Sequence, residues 1–233
     1  MVPHMVLREL NIPFTAVRMR FTVSELICNG DRYEIYAECF DTFSQPDKGG
    51  YDPIDDISRE DFFKLSPDGY VPTLTSEGEA LTELPAILTY LAELAPERSF
   101  LGSTPWERGK VMSWLNWLSG TMHTKGFAGQ WRPMRFSDDE STWPAIQAKS
   151  RKTVDAGYER IESRLVTRSH AVGDNLTVVE FFLHTMWRWG RTIGIPIKDM
   201  ESRYPNWAKL MREVEGRESV RAAMAEEGQE LTF

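Results

Sequence analysis

Val71 and Pro72, Glu83 with Leu84, and Asn116 with His123 are the residues of this sequence whose types and spacing can do chemistry. A Pro at the start of a strand can turn cis, which leaves the N–H and C=O of the preceding Val71 pointing outward, ready to take an extended peptide as an added strand. The N–H groups at Leu84 open a helical run whose positive dipole end suits a carboxylate, and Glu83 beside them suits an ammonium group. That constellation fits the amino-acid end of a small peptide. It is equally the pattern of a well-capped β-β-α unit with no ligand. Asn116 and His123, seven residues apart, project from nearly the same side of one helix. They form either a polar stripe at a subunit or domain interface or part of a site.

The elements that must position these groups are legible in the stretch 64–91, KLSPDGYVPTLTSEGEALTELPAILTYL. Ser66-Pro67-Asp68-Gly69 is a turn, with Pro presetting one backbone angle and Gly taking the angle other residues avoid. Val71–Thr75 reads as a short strand, with Pro72 confined to its start or to an edge because it cannot donate to a ladder. Ser76–Glu79 turns into a second strand, Ala80–Thr82. From Leu84 the period changes to about 3.6, with Leu84, Ile87, Leu88 and Leu91 on one face and Pro85 in the first turn.

Elsewhere the sequence predicts a helix over 1–10, a strand over 14–21, and a Gly/Pro/Asp-rich loop over 45–53. The stretch 95–105 is the natural domain boundary. Helices follow over 106–126, 139–168 and 177–193, the last started by a Thr177/Glu180 capping box, and then over 206–214 and 218–226. The third is apolar enough to be a core helix, which makes His184 a buried structural histidine. Trp131, Phe127 and Trp187 are candidates for an apolar pocket; Lys125 and Arg132 can add positive charge beside an anion.

At 233 residues the chain can bury a sizeable core. Its 27 basic and 35 acidic side chains give a net charge of −8, which argues against nucleic acid or an anionic membrane as partner. No apolar run is long enough to span a bilayer, and the N-terminus has no signal-peptide layout, so a cytoplasmic protein is expected. Cys28 and Cys39 form neither a disulfide framework nor a metal-ligand pattern.

VPTL followed by LTELPAILTYLAE resembles the glutathione-binding half of cytosolic glutathione transferases, nearest the bacterial-type, beta-class branch. PHMVLREL, WLNWLSGTMHTKGF and GDNLTVVEFFL extend the likeness to most of the chain outside roughly 22–60. The resemblance implies an α/β thioredoxin-like domain over 1–95, carrying an insertion at 22–60, and an all-α domain over 104–233. It implies glutathione as co-substrate, held by Val71, Pro72, Glu83, Leu84 and, across a homodimer interface, Asn116. It implies His123 near the thiol and a small electrophile as second substrate. Leu84 stands where the family often has Ser or Gly, so only its N–H can serve. A glutathione-dependent isomerase or pathway enzyme, or a transferase-derived binding protein, would use the same fold.

In that family a first strand and the loop bearing the sulfur-contacting residue precede the first helix, and Met1 falls about where the loop would end. The strand over 14–21 then lacks its neighbour, and unmade buried backbone bonds cost about 1–3 kcal/mol each. The insertion around 32–40 is expected to fill the gap, ahead of a strand lent by another subunit or a chain that starts earlier. Weak conventional catalysis is expected, with thiolate stabilisation left to His4, His123 or backbone near Met1.

Overall fold

A computed structural model describes residues 1–16, 19–21, 27–28, 31–32, 51–53 and 58–233. The first helix, α1 (Val2–Glu9), has Pro3 in its first turn and buries Val2, Met5, Val6 and Leu7. It packs against the helices Leu84–Glu93 and Glu218–Glu226. Residues 14–16, expected as the first part of a strand, are irregular, as are 12 and 13 before them. The strand itself, β1 (Met19–Phe21), is shorter than predicted.

β1 pairs antiparallel with β4 (Tyr51–Pro53), Met19 opposite Pro53 and Phe21 opposite Tyr51. The insertion does supply a partner for this strand, but from a stretch expected to be loop. Residues 33–40, expected to fill the gap, lie outside the described residues, as does Cys39. β2 (Ile27–Cys28) and β3 (Asp31–Arg32) pair antiparallel in a separate two-stranded sheet.

α2 (Arg59–Leu65) starts at Ser58, whose hydroxyl accepts the Asp61 N–H at 3.0 Å. β5 (Leu74–Ser76) and β6 (Glu79–Leu81) form the predicted hairpin. Glu77 (φ 53°) and Gly78 (φ 84°) take the left-handed conformation at both central positions, which matches the twist of the flanking strands. α3 (Leu84–Glu93) buries Ile87, Leu88, Leu91 and Ala92.

The remainder is helical. α4 (Pro105–Trp117) does not run on as one regular helix. From Leu118 to Ala128 the chain is a π-helix, ending in the single turn α5 (Gly129–Trp131). The ladder there is shifted to i→i+5, and Thr124 Oγ1 donates to the Ser119 carbonyl at 3.0 Å in the same register. Next come α6 (Trp143–Leu165), α7 (Val178–Thr192), α8 (Ile197–Arg203), α9 (Pro205–Glu215) and α10 (Glu218–Glu226). α8 was not foreseen, since seven residues over IKDMESR carry too little apolar periodicity to stand out.

α7 is the core helix, as its composition requires. The Thr177/Glu180 capping box is formed. The Glu180 carboxylate also accepts the Ala171 N–H at 2.7 Å; its burial pushes the carboxyl above its ordinary value despite these donors. Trp187, with no exposed surface, meets Trp207 at 5.0 Å, and Trp207 meets Tyr158 at 4.8 Å, both edge-on. Each such side chain contributes roughly 1.5–3 kcal/mol of hydrophobic stabilisation. His184 is buried as expected, 3.8 Å from Glu215 Oε1. Burial holds its pKa below the ordinary value, against the pull of Glu215.

Candidate functional site

The turn before Val71 is built by a buried serine. Ser66 Oγ donates to the Tyr70 carbonyl at 2.9 Å and accepts the Tyr70 N–H at 3.0 Å, while Thr73 Oγ1 also donates to that carbonyl. Gly69 (φ 70°) makes the bend. The Val71–Pro72 peptide is cis. Among the described residues, no backbone group pairs with the N–H or C=O of Val71.

Val71 and Pro72 form one wall of a cleft of about 550 Å³. The other described walls come from α1 (Met1, Pro3, His4, Leu7), the irregular stretch 12–16, α2 (Phe62, Leu65) and α3. At the head of α3, Glu83 is exposed and adopts φ 69°, a left-handed conformation rare for a residue with a Cβ. Its side chain makes no capping bond. The helix start at Leu84 is therefore open at the position expected to meet a carboxylate.

The charges converge at Tyr70. Burial raises its phenol pKa, with Asp68 and Glu83 acting in the same direction and Arg135 and Arg132 opposing. Glu83 and the helical-domain segment 132–135 thus lie within electrostatic reach of the Val71 turn. The two arginines were only partly foreseen: Arg132 was singled out and Arg135 was not.

Asn116 and His123 are not brought into the cleft. Asn116 is exposed on α4, its Nδ2 donating to the Met112 carbonyl at 2.8 Å within the same helix. His123 sits half-buried on the π-helix, its ring 5.6 Å from Trp189. The shift to π geometry re-phases every side chain beyond Leu118, so the same-side spacing read from 3.6 residues per turn does not carry over. Phe127 and Trp187 have no exposed surface and are core, not pocket. Trp131 is half-buried, 5.0 Å from Trp189.

His4 does line the cleft. Its Nδ1 lies 2.7 Å from Oε1 of Glu227, a buried carboxylate just past the end of α10. Sequence gave no sign of this partner, because 223 positions separate the two residues.

The pattern of the glutathione S-transferase N-terminal domain matches residues 2–94, and that of the C-terminal domain matches residues 134–218. The chain belongs to the glutathione S-transferase family. Glutathione S-transferase GstA of Escherichia coli O157:H7 is 29% identical over 171 residues, 72% of this chain and 79% of that one. The beta-class glutathione S-transferase of Sphingomonas chungbukensis superposes with a TM-score of 0.68 at 26% identity, over 97% of this chain and 93% of that chain. A glutathione transferase homologue from Sulfitobacter, solved with bound glutathione, gives a TM-score of 0.65 at 25% identity over 74% and 80% of the two chains. The fold is accordingly the thioredoxin-like domain followed by the helical domain of this family. No helix among the described residues is long and apolar enough to cross a membrane.

Proposed function

We propose that this family member binds glutathione at the Val71–Pro72 turn and delivers its thiolate to a small electrophile. The observation that carries the reading is the backbone of Val71, which no backbone group among the described residues pairs with, in a cleft wall of a chain of this family. Val71 N–H and C=O take the cysteinyl backbone, Pro72 packs against it, and Glu83 and the Leu84 N–H take the γ-glutamyl ammonium and carboxylate. A free thiol has a pKa of about 8.5, so only a few per cent is thiolate at neutral pH, and the anion needs donors or positive charge. The beta-class pattern assigns His123 near the sulfur, whereas here its ring lies against Trp189 and outside the cleft lining. Asn116 of the partner subunit completes the site in a homodimer, and the protein works in the cytoplasm.

Passage over immobilised glutathione followed by assay with a chlorinated nitroaromatic tests this. Retention with turnover supports the whole reading. Retention without turnover restricts it to binding or to a narrow electrophile, and no retention overturns it.

A further inference from the structure

His4 combines three features found together nowhere else among the described residues of the cleft. It is the described cleft-lining residue with an imidazole, it shares that cleft with Val71 and Pro72, and one of its nitrogens is turned into a buried carboxylate. Nδ1 is shut away from solvent beside Glu227. The side chain nevertheless keeps 19% of its surface, and Glu227 keeps only 4%. With Nδ1 buried beside Glu227, Nε2 is the ring nitrogen left for a cleft ligand. Phe14 packs 5.3 Å from the ring centre.

Glu227 is pinned in turn. Its Oε1 lies 2.6 Å from the Met1 amino nitrogen, an ionic contact. Burial alone would raise the Glu227 carboxyl, but the Met1 amino group and His4 outweigh it and hold the pKa below its ordinary value. Among the described residues, the other charges facing the pair are Glu226 of α10, bound to Arg8 of α1, and Arg188 of α7, which donates to Gln229 Oε1 at 3.0 Å.

We propose that His4 Nε2 is the base that receives the proton of the glutathione thiol, with Glu227 as its positioning residue. This rests on the reading of the cleft as a glutathione site. In the step the S–H bond breaks and an Nε2–H bond forms. The resulting imidazolium is flanked by Glu227 on its Nδ1 side and by the thiolate on its Nε2 side. The thiolate then attacks the electrophile, and the proton leaves with the displaced group or to water. A histidine held by a carboxylate and facing the reacting atom is the arrangement that makes imidazole an effective proton acceptor. It spans the two domains, since α1 supplies the base and the end of α10 supplies its anchor.

The test titrates the ultraviolet absorbance of glutathione thiolate bound to the unaltered chain and to His4→Gln, Glu227→Gln and His123→Gln. In His4→Gln the thiol titration should move up by about one pH unit or more, and turnover should fall about 100-fold, with glutathione affinity within about threefold. Glu227→Gln should move the titration in the same direction by less. A His4→Gln titration that matches the unaltered chain, or one moved by His123→Gln alone, overturns the proposal. Should His4→Gln lose its circular dichroism spectrum, Glu227→Gln decides: an upward shift supports the proposal and an unmoved titration overturns it. Failure of the unaltered chain to bind glutathione overturns the site reading as well, whereas binding with an unmoved titration overturns only the role of His4.

Discussion

Glu162 of α6 caps the start of α9 through Asn206. Its Oε1 accepts the Asn206 N–H at 3.1 Å and the Asn206 side-chain amide at 2.6 Å, and its Oε2 accepts the Trp207 N–H at 2.9 Å. The carboxylate thus satisfies N–H groups that a helix start leaves orphaned and sits at the favourable end of its dipole. Glu162→Ala should lower the unfolding free energy by about 1–3 kcal/mol. Urea unfolding with an unchanged midpoint would show that the Glu162 carboxylate adds nothing to the stability of this helix start.

Helix packing around the π segment rests on two glycines with different neighbours. A Cβ at Gly129 would overlap Ser150 Oγ and lie 2.9 Å from Ser150 Cβ, on a short side chain that cannot swing clear. A Cβ at Gly157 would instead meet the thioether of Met122, which is flexible. Gly129→Ala should therefore cost about 1–3 kcal/mol and Gly157→Ala less. Thermal unfolding that ranks them the other way would contradict this packing.

Glu9 ties three parts of the chain together. It accepts from Arg217 at 2.5 and 3.0 Å, from Ser219 at 2.5 Å and from Arg98 at 3.1 Å. Burial pushes its carboxyl up, but these donors outweigh it, so its pKa lies below the ordinary value. A carboxylate whose folded pKa is depressed stabilises the fold fully above its unfolded pKa of about 4.3 and loses that contribution as pH falls through the folded value. Glu9→Gln should thus be less stable than the unaltered chain by about 1–3 kcal/mol at neutral pH, with the gap closing below about pH 4. Urea midpoints that stay equally separated at both pH values would sink this.

Asn116 has one amide hydrogen committed to Met112, and its exposed position leaves the rest of the group for a second chain. The proposed homodimer should sediment at about twice the mass of one chain at micromolar concentration, since obligate interfaces bury about 2,000 Å² or more. Asn116→Ala should then weaken glutathione binding by about 1–3 kcal/mol. A monomer, or an unchanged affinity, would return Asn116 to a surface role.

Much of this protein was written locally. Turn residues at 66–69, the hairpin signal at 76–79, the capping box at Thr177 and the all-round apolar run of α7 each act within a few positions, so their elements follow from adjacent side chains and backbone preferences. Those same local signals carried the Val71–Pro72 turn and the open head of α3. Tertiary structure decided what no local pattern encodes. Packing of the 118–128 segment against α6 and α7 accompanies its shift to π register, which takes His123 to Trp189. The pairing of Met19–Phe21 with Tyr51–Pro53 spans a stretch that reads as loop. Glu227 comes to His4 only because α1 and α10 bury their apolar faces on one another, and a hydrophobic contact leaves no mark at either residue of the ion pair it creates.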